Sequence, residues 1–243
     1  RATSVLLSSG NQIDSDLVVF AGDPAVCYEQ LLDKPSAKLR HLIPGLRRHY
    51  SMGLYVLYFG TKKIYPDVAH HTIWMGPRFR DHLTDIFDRK YLADDFSLYL
   101  HRPTATDKSF APENCESFYV LCPVPNLKGH VDWDKMGPVL ADKIVTALDQ
   151  TILPELPQVI DEMFWMTPKD FKNDYRSLHG AGFSIAPRLT QSAYFRYHNR
   201  DASISNLYFV GAGTHPGAGL PGVVSSAKVV EELLTGFEVG SGG

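Results

Sequence analysis

The chain has 243 residues, of which 44% are hydrophobic and 21% charged, a composition typical of a globular protein. Its net charge of −3 gives no electrostatic argument for a nucleic-acid partner. The three cysteines, Cys27, Cys115 and Cys122, lack metal-site spacing and fit buried thiols in a reducing compartment. No apolar stretch approaches the length of a membrane-spanning helix.

The first part of the chain predicts a hairpin, a buried strand and a helix. Apolar segments at 4–7 and 12–13 flank a turn at Gly10 and Asn11, which predicts the hairpin. Residues 17–21 form a continuous apolar run, which favours a strand covered on both faces of a parallel sheet. Asp23 as N-cap and Pro24 at the first helical position predict a helix that follows it. A second short helical segment is predicted at 35–45.

The middle of the chain predicts a strand-rich region with one inserted helix. The helix is predicted at 77–90, with Phe79, Leu83, Ile86 and Phe87 on its apolar side. The strands are predicted at 52–60, 70–75, 96–101 and 117–125.

The last part begins with the longest amphipathic helix, at 133–153. Val139, Ile144, Leu148 and Ile152 are expected on its apolar side. A strand at 159–166 follows, and Thr167 caps a further helix.

A strand, a glycine-rich turn and a helix close the chain. The strand is predicted at 207–210, the turn at 211–222 and the helix at 223–234, with Val223, Ala227, Val230 and Leu234 on its inner face. This arrangement brings backbone N–H groups and a helix N-terminus against a phosphate-bearing ligand. A glycine-rich surface loop between two core elements would have the same spacing, so both interpretations stay open at this point.

The pair His70 and His71 raises the question of a metal site. Adjacent residues on a strand point to opposite faces of the sheet, and no third ligand is evident from the sequence. We therefore predict no metal site.

Several motifs resemble one protein family. They are QSAYFRYHNRD at 191–201, LYFVGAGTHPGAGLPG at 207–222, and upstream LYFG at 57–60, AHHT at 69–72, DFSLYLH at 95–101 and YVLCPVP at 119–125. Together they resemble the C-terminal signature of the bacterial-type carotenoid desaturases, the family of the phytoene desaturases. The resemblance extends over residues 5–234.

The resemblance implies a mixed α/β fold, the C-terminal half of a two-domain FAD-dependent flavoprotein of the amine oxidase type. Residues 1–44 and 189–236 would then belong to the FAD-binding domain and residues 45–188 to a mixed-sheet substrate domain, with 237–243 as a tail or linker. The family's Gly-x-Gly-x-x-Gly fingerprint for FAD lies in an N-terminal half that precedes this region. We therefore expect that half as a missing part or as a separate partner chain.

The activity implied by the resemblance is desaturation of a C40 carotenoid, phytoene to lycopene, with hydride transfer to FAD and loss of a proton. The alternatives are a related carotenoid desaturase or isomerase, and a non-catalytic half that needs the other chain. Asp95 matches an acidic residue of the family that is proposed to act in acid–base chemistry or in positioning the substrate, and it opens an apolar strand. The competing interpretation is that Asp94 and Asp95 cap the preceding loop.

The resemblance also implies cofactor contacts in the glycine-rich turn. Ala212 would make its contact through the backbone, since its side chain cannot hydrogen-bond. The residues expected at the ribityl–pyrophosphate are Gly211, Ala212, Gly213 and Thr214. Those expected at the isoalloxazine are Pro221, Gly222 and Val223, and His215 is expected at the wall of the active site. A carotenoid substrate dissolves in lipid, so peripheral association with the cytoplasmic face of a membrane is expected.

Overall fold

A computed structural model describes residues 1–32 and 48–236. The strands are β1 Ser4–Leu6, β2 Gln12–Asp14, β3 Val18–Phe20, β4 Gly53–Thr61, β5 His71–Trp74, β6 Leu98–His101, β7 Glu116–Val124, β8 Ile160–Met166 and β9 Leu207–Phe209. The helices are α1 Pro24–Val26, α2 Phe79–Thr84, α3 Trp133–Asp149, α4 Leu156–Val159, α5 Pro168–Asn173 and α6 Leu220–Thr235. Single π-helical turns, Cys27–Leu31 and Asp85–Arg89, extend α1 and α2.

The chain divides into two compact units. Unit 1 comprises Arg1–Ser51, Tyr175–Leu178 and Phe183–Gly243, and unit 2 comprises Met52–Asp174 and His179–Gly182. The domain division proposed from the sequence stays a prediction. Its boundary at 44/45, its tail at 237–243 and the short helix at 35–45 lie outside the described residues.

The described residues of unit 1 form two small sheets. β1 and β2 form the predicted antiparallel hairpin, and β3 pairs with β9 in parallel, with Val18 opposite Leu207. The parallel pairing confirms what the continuous apolar run predicted. Coverage of both faces of β3 is not found among the described residues, since Val19 is 46% exposed. Cys27, Leu207 and Phe209 form a small core beneath these strands.

The helix α6 is rotated relative to the prediction. Ser226 and Val230 are its buried residues, whereas Ala227 and Leu234, predicted on the inner face, are exposed. The reason is polar: the Ser226 hydroxyl accepts the Gly211 N–H at 2.8 Å and donates to the Val223 carbonyl. Because Ser226 is buried to make these bonds, the helix face that contains Ala227 and Leu234 is directed to solvent.

Unit 2 is built on a five-stranded antiparallel sheet in the order β5-β6-β7-β4-β8. β4 lies against β7 over nine residue pairs, from Gly53 opposite Val124 to Thr61 opposite Glu116. One face of the sheet packs with α3 into the main core. Its fully buried members include Tyr55, Leu57, Leu100, Val120, Ile144, Leu148, Leu153 and Leu156.

The predicted apolar side of α3 is correct at Ile144 and Leu148 and wrong at Val139, which is 42% exposed. Positions 139 and 144 are five residues apart, which separates them by roughly 140° around a helix. The buried stripe instead continues through Leu140 and Ala141.

The opposite face of the sheet carries a row of cyclic side chains, which we call the aromatic row: His71, His101, Tyr119, Tyr58 and Phe164. The strand register makes each of these residues a direct cross-strand neighbour of the next. The rings of Tyr58 and Phe164 stack at 4.8 Å, and those of His101 and Tyr119 lie 4.6 Å apart. Phe164 at the end of the row is 61% exposed.

The predicted helix at 77–90 is α2 with its π-helical turn. Ile86 is fully buried, as a core-packing helix requires, while Phe79 is 40% exposed. His82 and Asp85 are also buried, although the apolar pattern did not predict them inside. The buried carboxylate of Asp85 is compensated by two cations, since it accepts from Arg89 at 2.6 Å and from Arg78 at 3.3 Å.

Two predicted helix caps are confirmed. Asp23 accepts the Ala25 N–H at 3.1 Å at the start of α1. Thr167 accepts the Lys169 N–H, while Asp170 accepts the Thr167 N–H at 2.7 Å, which completes a capping box. Within the described parts of the chain, no helix is both long enough and apolar enough to cross a lipid bilayer.

Candidate functional site

The glycine-rich loop between β9 and α6 forms a closed turn in unit 1. Gly211 has φ of +103°, a conformation that favours glycine, and its carbonyl accepts both the backbone N–H and the hydroxyl of Thr214. Thr214 is fully buried. Its hydroxyl therefore stabilises the turn, and its predicted contact with a cofactor stays a prediction.

The turn is tight at two glycines. A Cβ atom on Gly213 would lie 2.4 Å from Cδ of Pro24, so this residue lets the loop lie against the start of α1. A Cβ atom on Gly222 would lie 2.6 Å from the carbonyl oxygen of Gly217. Both distances are shorter than real Cβ contacts allow, so side chains at these positions would force the backbone apart.

Arg196 holds the loop from the inside. Its side chain is 2% exposed, and its Nε and Nη2 donate to the Ala212 carbonyl at 2.9 and 2.6 Å. It also donates to the carbonyls of Phe183 at 3.0 Å and Gln191 at 3.4 Å. Burial lowers the pKa of the guanidinium from its ordinary value. Because the Ala212 carbonyl is used in this way, the backbone contact expected at Ala212 would have to use its N–H.

Asn199 fixes the other side of the loop. Its side-chain amide donates to the carbonyls of Phe209 at 3.1 Å and His215 at 2.9 Å, and the His215 N–H donates to the Tyr197 carbonyl. The Nδ1 atom of His215 is buried and has no hydrogen-bond partner among the described residues. A buried ring nitrogen of this kind calls for a partner that a ligand can supply.

Arg48 presents a second group of this kind, which the sequence analysis did not single out. Its guanidinium lies 3.6 Å from the ring centroid of Tyr197, whose backbone bridges to Thr214 in the turn. Both terminal nitrogens are buried without a hydrogen-bond partner in the described segments, and burial lowers the pKa of the group. In the sequence, the only indication of a binding role for Arg48 is the run of basic and aromatic residues at 47–50.

Asp23 lies between β3 and α1, as the N-cap of α1. It is buried, and besides the Ala25 N–H it accepts the Leu178 N–H at 3.2 Å and the Ser184 hydroxyl at 3.1 Å. Burial raises the pKa of this carboxyl, against the effect of its hydrogen bonds. Its three bonds make Asp23 a cross-link of the loops around the glycine-rich turn.

The N-terminus of α6 is open. Gly219 is the N-cap with φ of +93°, and Leu220 and Pro221 in the first turn are exposed. Gly217, Gly219 and Gly222 have the spacing Gly-x-Gly-x-x-Gly where the loop joins the helix, a feature that the sequence analysis also missed. Val223 donates its N–H to the Gly219 carbonyl and closes the first turn.

Asp95 belongs to unit 2, and its environment differs from that of Asp94. Oδ1 of Asp95 accepts from Arg78 at 2.5 Å, and Oδ2 is buried with no partner in the described part of the chain. Asp94 is 93% exposed and pairs with Lys143 at 2.8 Å. Both carboxylates thus bind side chains, which differs from the loop-capping alternative.

His70 and His71 lie side by side rather than on opposite faces of the sheet. Their ring centroids are 4.3 Å apart, and His101 lies beside both. The argument from strand alternation was wrong here because β5 begins only at His71, so His70 is not bound by the alternation. The third histidine became visible only through the register of β5 and β6.

Residues 1–230 match the protein family described as flavin containing amine oxidoreductase. The chain therefore belongs to this family of flavin-containing oxidoreductases, and membership implies FAD as the cofactor.

Curated relatives identify the group within this family that the chain resembles. A lycopene-forming phytoene desaturase of Pseudescherichia vulneris is 46% identical over 235 residues, which cover 96% of this chain and 48% of that protein. A neurosporene-forming phytoene desaturase of Rhodobacter capsulatus is 42% identical over 240 residues, with coverage of 96% and 46%. The resemblance to bacterial-type carotenoid desaturases is thereby confirmed. The chain spans about half the length of the curated relatives it matches.

A solved structure supports the fold. The crystal structure of an oxidoreductase from Methanosarcina mazei superposes with a TM-score of 0.55 at 16% identity, covering 94% of this chain and 46% of that one. At this identity the similarity concerns the fold alone, and it agrees with the mixed α/β architecture predicted.

The residues of unit 1 fit a flavin dinucleotide. FAD carries phosphate and ring-carbonyl oxygens, which are acceptors for guanidinium and backbone N–H groups. Arg48 offers buried donors that lack an acceptor, and the exposed first turn of α6 offers backbone N–H groups. The close approach at Gly222 keeps the loop compact beside that helix end.

Proposed function

We propose that this chain is the C-terminal part of an FAD-dependent carotenoid desaturase that converts phytoene to lycopene. The observation that carries the proposal is 42–46% identity to phytoene desaturases along 96% of the chain. Lycopene is the proposed product because three lycopene-forming relatives are 44–46% identical, whereas two neurosporene-forming relatives are 42% and 44% identical.

Each desaturation removes a hydride and a proton from neighbouring carbons of the polyene. FAD, when bound, supplies the acceptor for the hydride. In unit 1, the glycine-rich turn and α6 would hold the cofactor, and Arg48 and His215 would donate to it. Arg196 and Asn199 would keep the turn in its shape from behind.

Asp95 is the base in this proposal. Its Oδ2 atom is buried and unpaired among the described residues, so it can receive a proton, while Arg78 holds Oδ1 and orients the carboxylate. Tyr58 and Phe164, the part of the aromatic row without histidines, offer a stacked aromatic surface in unit 2 of the kind a polyene can pack against.

Replacing Gly222 with alanine should weaken flavin binding. The added Cβ would lie 2.6 Å from the Gly217 carbonyl oxygen and displace the turn. Flavin binding has to restore the turn against an overpacking cost of about 1–3 kcal/mol, which corresponds to about 5–150-fold in affinity. Flavin fluorescence during titration of the apoprotein measures the change. Gly60→Ala is the control, because its nearest neighbour would be 3.8 Å from the new Cβ. Equal affinities for the two variants would contradict a role for the turn.

Asp95→Asn should lower desaturation by about 100-fold or more, the lower range for loss of a general base. The turnover of phytoene in liposomes is measured at saturating FAD, with flavin content and thermal unfolding as checks of folding. Asp94→Asn is the matched control, since Asp94 is an exposed neighbour paired only with Lys143 among the described residues. Unchanged turnover of Asp95→Asn would remove Asp95 from the role of base.

A second candidate function is a non-catalytic half that needs a separate chain carrying the N-terminal FAD fingerprint. This candidate is supported by the length of the match, since the chain covers only 47–48% of the lycopene-forming relatives. The purified chain would then show no flavin absorbance and no desaturation until the N-terminal half is added. Flavin bound to this chain alone, with desaturating activity, would exclude this candidate.

Peripheral association with the cytoplasmic face of a membrane belongs to the same proposal. The substrate is a hydrocarbon that resides in the bilayer, so the enzyme must meet it at the lipid surface. Co-sedimentation of the protein with liposomes, with and without phytoene, tests this part independently of turnover.

A further inference from the structure

We propose that His70, His71 and His101 bind a divalent transition-metal ion of the zinc class. We call these residues the histidine cluster. Each offers one ring nitrogen, and these three atoms lie within 4.8 Å of one another. Neither the family described above nor the desaturation reaction assigns a role to them.

The fold assembles the histidine cluster at one end of the sheet. His71 and His101 are direct partners in the register of β5 and β6, and their rings stack at 5.3 Å. His70 precedes β5, where its carbonyl accepts the Arg102 N–H at 2.9 Å. This bond holds the His70 backbone beside the end of β6, with its ring 4.7 Å from that of His101.

In two of the rings a hydroxyl group binds Nδ1, which makes Nε2 the candidate metal ligand of each. Nδ1 of His70 bonds to the Thr106 hydroxyl at 2.5 Å, and Nδ1 of His71 bonds to the Tyr99 hydroxyl at 2.7 Å. Metal-binding histidines show this pattern, in which the second nitrogen bonds to an outer partner that fixes the ring and its tautomer. The cluster therefore has oriented rings before any ion arrives.

The distance between His70 and His101 also fits an ion. Their Nε2 atoms are 2.8 Å apart, a contact that one shared proton can satisfy. Two nitrogens bound to one zinc at about 2.0–2.1 Å in tetrahedral geometry lie roughly 3.3 Å apart, so this pair would separate by about 0.5 Å to hold the ion. The His71 nitrogen, within 4.8 Å of the others, would move inward. His71 is exposed and leaves a path from solvent.

The chemistry of the ligands selects the class of ion. Three imidazoles suit Zn²⁺, Cu²⁺ or Ni²⁺, whereas Mg²⁺ and Ca²⁺ prefer oxygen ligands. The cluster itself contains no carboxylate. Three histidines around zinc leave a fourth position for water or another small ligand.

The test is equilibrium competition for Zn²⁺ between the full chain, without a histidine tag, and a chromophoric chelator. We expect one Zn²⁺ per chain, no competition from millimolar Mg²⁺, and a visible absorption band of tetrahedral type when Co²⁺ is added instead. His71→Gln and His101→Gln should each weaken binding by more than the roughly 10–100-fold caused by loss of an outer hydrogen-bond partner. Tyr99→Phe should fall within that range.

His130→Asn is the matched control, since His130 is an exposed histidine of the same unit with φ of +52°, which asparagine tolerates. Its affinity for Zn²⁺ should equal that of the parent chain. Circular dichroism and thermal unfolding without metal show that each variant is folded. Zn²⁺ binding that is equal in folded His71→Gln and His130→Asn, or absent from the parent chain, would overturn the proposal and leave a hydrogen-bonded histidine pair.

Discussion

Replacing Arg196 with methionine should lower the free energy of unfolding by about 3 kcal/mol or more. The substitution keeps an unbranched chain of similar length but removes every donor. The carbonyls of Ala212, Phe183 and Gln191 would lose their bonds to the guanidinium in a buried place, and each unsatisfied buried group costs about 1–3 kcal/mol. Removal of the buried charge of Arg196 offsets part of this loss, so we expect the lower end of the summed cost of the three carbonyls.

Urea unfolding monitored by circular dichroism and by tyrosine fluorescence measures the change. Arg196→Lys should be intermediate, since a single ammonium group cannot reproduce the planar fork that reaches several carbonyls. Arg200→Met is the control four residues away, because Arg200 is exposed and lies 5.8 Å from the ring centroid of Tyr208. Equal unfolding midpoints for Arg196→Met and Arg200→Met would contradict the proposed support of the loop.

The same substitution has a consequence for the cofactor. Ala212 and its neighbours would no longer be held from behind, so the glycine-rich turn should lose its fixed shape. We therefore expect Arg196→Met to weaken flavin binding under conditions where the protein is still folded. This separates Arg196 from a residue that contributes to stability alone.

Local patterns predicted much of this fold. The hairpin, the strands of the sheet, the caps at Asp23 and Thr167, and the strand–turn–helix around the glycines are each determined by residues close in sequence. Such features depend on turn residues, caps and periodicity, which a single sequence displays directly.

Features that depend on distant partners were not predictable in the same way. The rotation of α6 follows from the bond between Ser226 and Gly211, fifteen positions apart, and overrides the apolar pattern. The histidine cluster depends on the register of β5 with β6, thirty-one positions from His70 to His101. Period and composition do not encode register, so these side chains could be placed only by the folded chain.

The candidate site shows the same limit. The glycines of the turn were predicted from their spacing, but Arg48 and Arg196 look like surface residues in the sequence. Other segments of the chain stabilise them in the fold: the Ala212 carbonyl accepts from Arg196, and the ring of Tyr197 stacks against Arg48. The burial of Arg196 and of the guanidinium nitrogens of Arg48 is therefore seen only in the folded chain.

A second large effect is expected in unit 2, from Arg102→Met. Arg102 and Glu116 form a buried ion pair in which the side chains are 8% and 3% exposed. Nε of Arg102 donates to Oε1 of Glu116 at 2.8 Å, and Nη1 donates to the Val68 carbonyl at 2.6 Å. Methionine would leave the Glu116 carboxylate buried without its cation, a loss of about 3–5 kcal/mol in the free energy of unfolding.

A double-mutant cycle of Arg102→Met, Glu116→Gln and the double variant separates this penalty from the value of the pair itself. Glu116→Gln in the Arg102→Met background removes the unpaired charge but keeps an oxygen that can accept the Tyr65 N–H, now bound to Oε2 at 3.0 Å. The double variant should therefore be more stable than Arg102→Met alone in urea unfolding. Lys62→Met, which breaks the exposed pair with Asp161, should leave the midpoint nearly unchanged. If Arg102→Met unfolds at the same urea concentration as Lys62→Met, the buried pair does not stabilise unit 2, because its desolvation would then cancel its attraction.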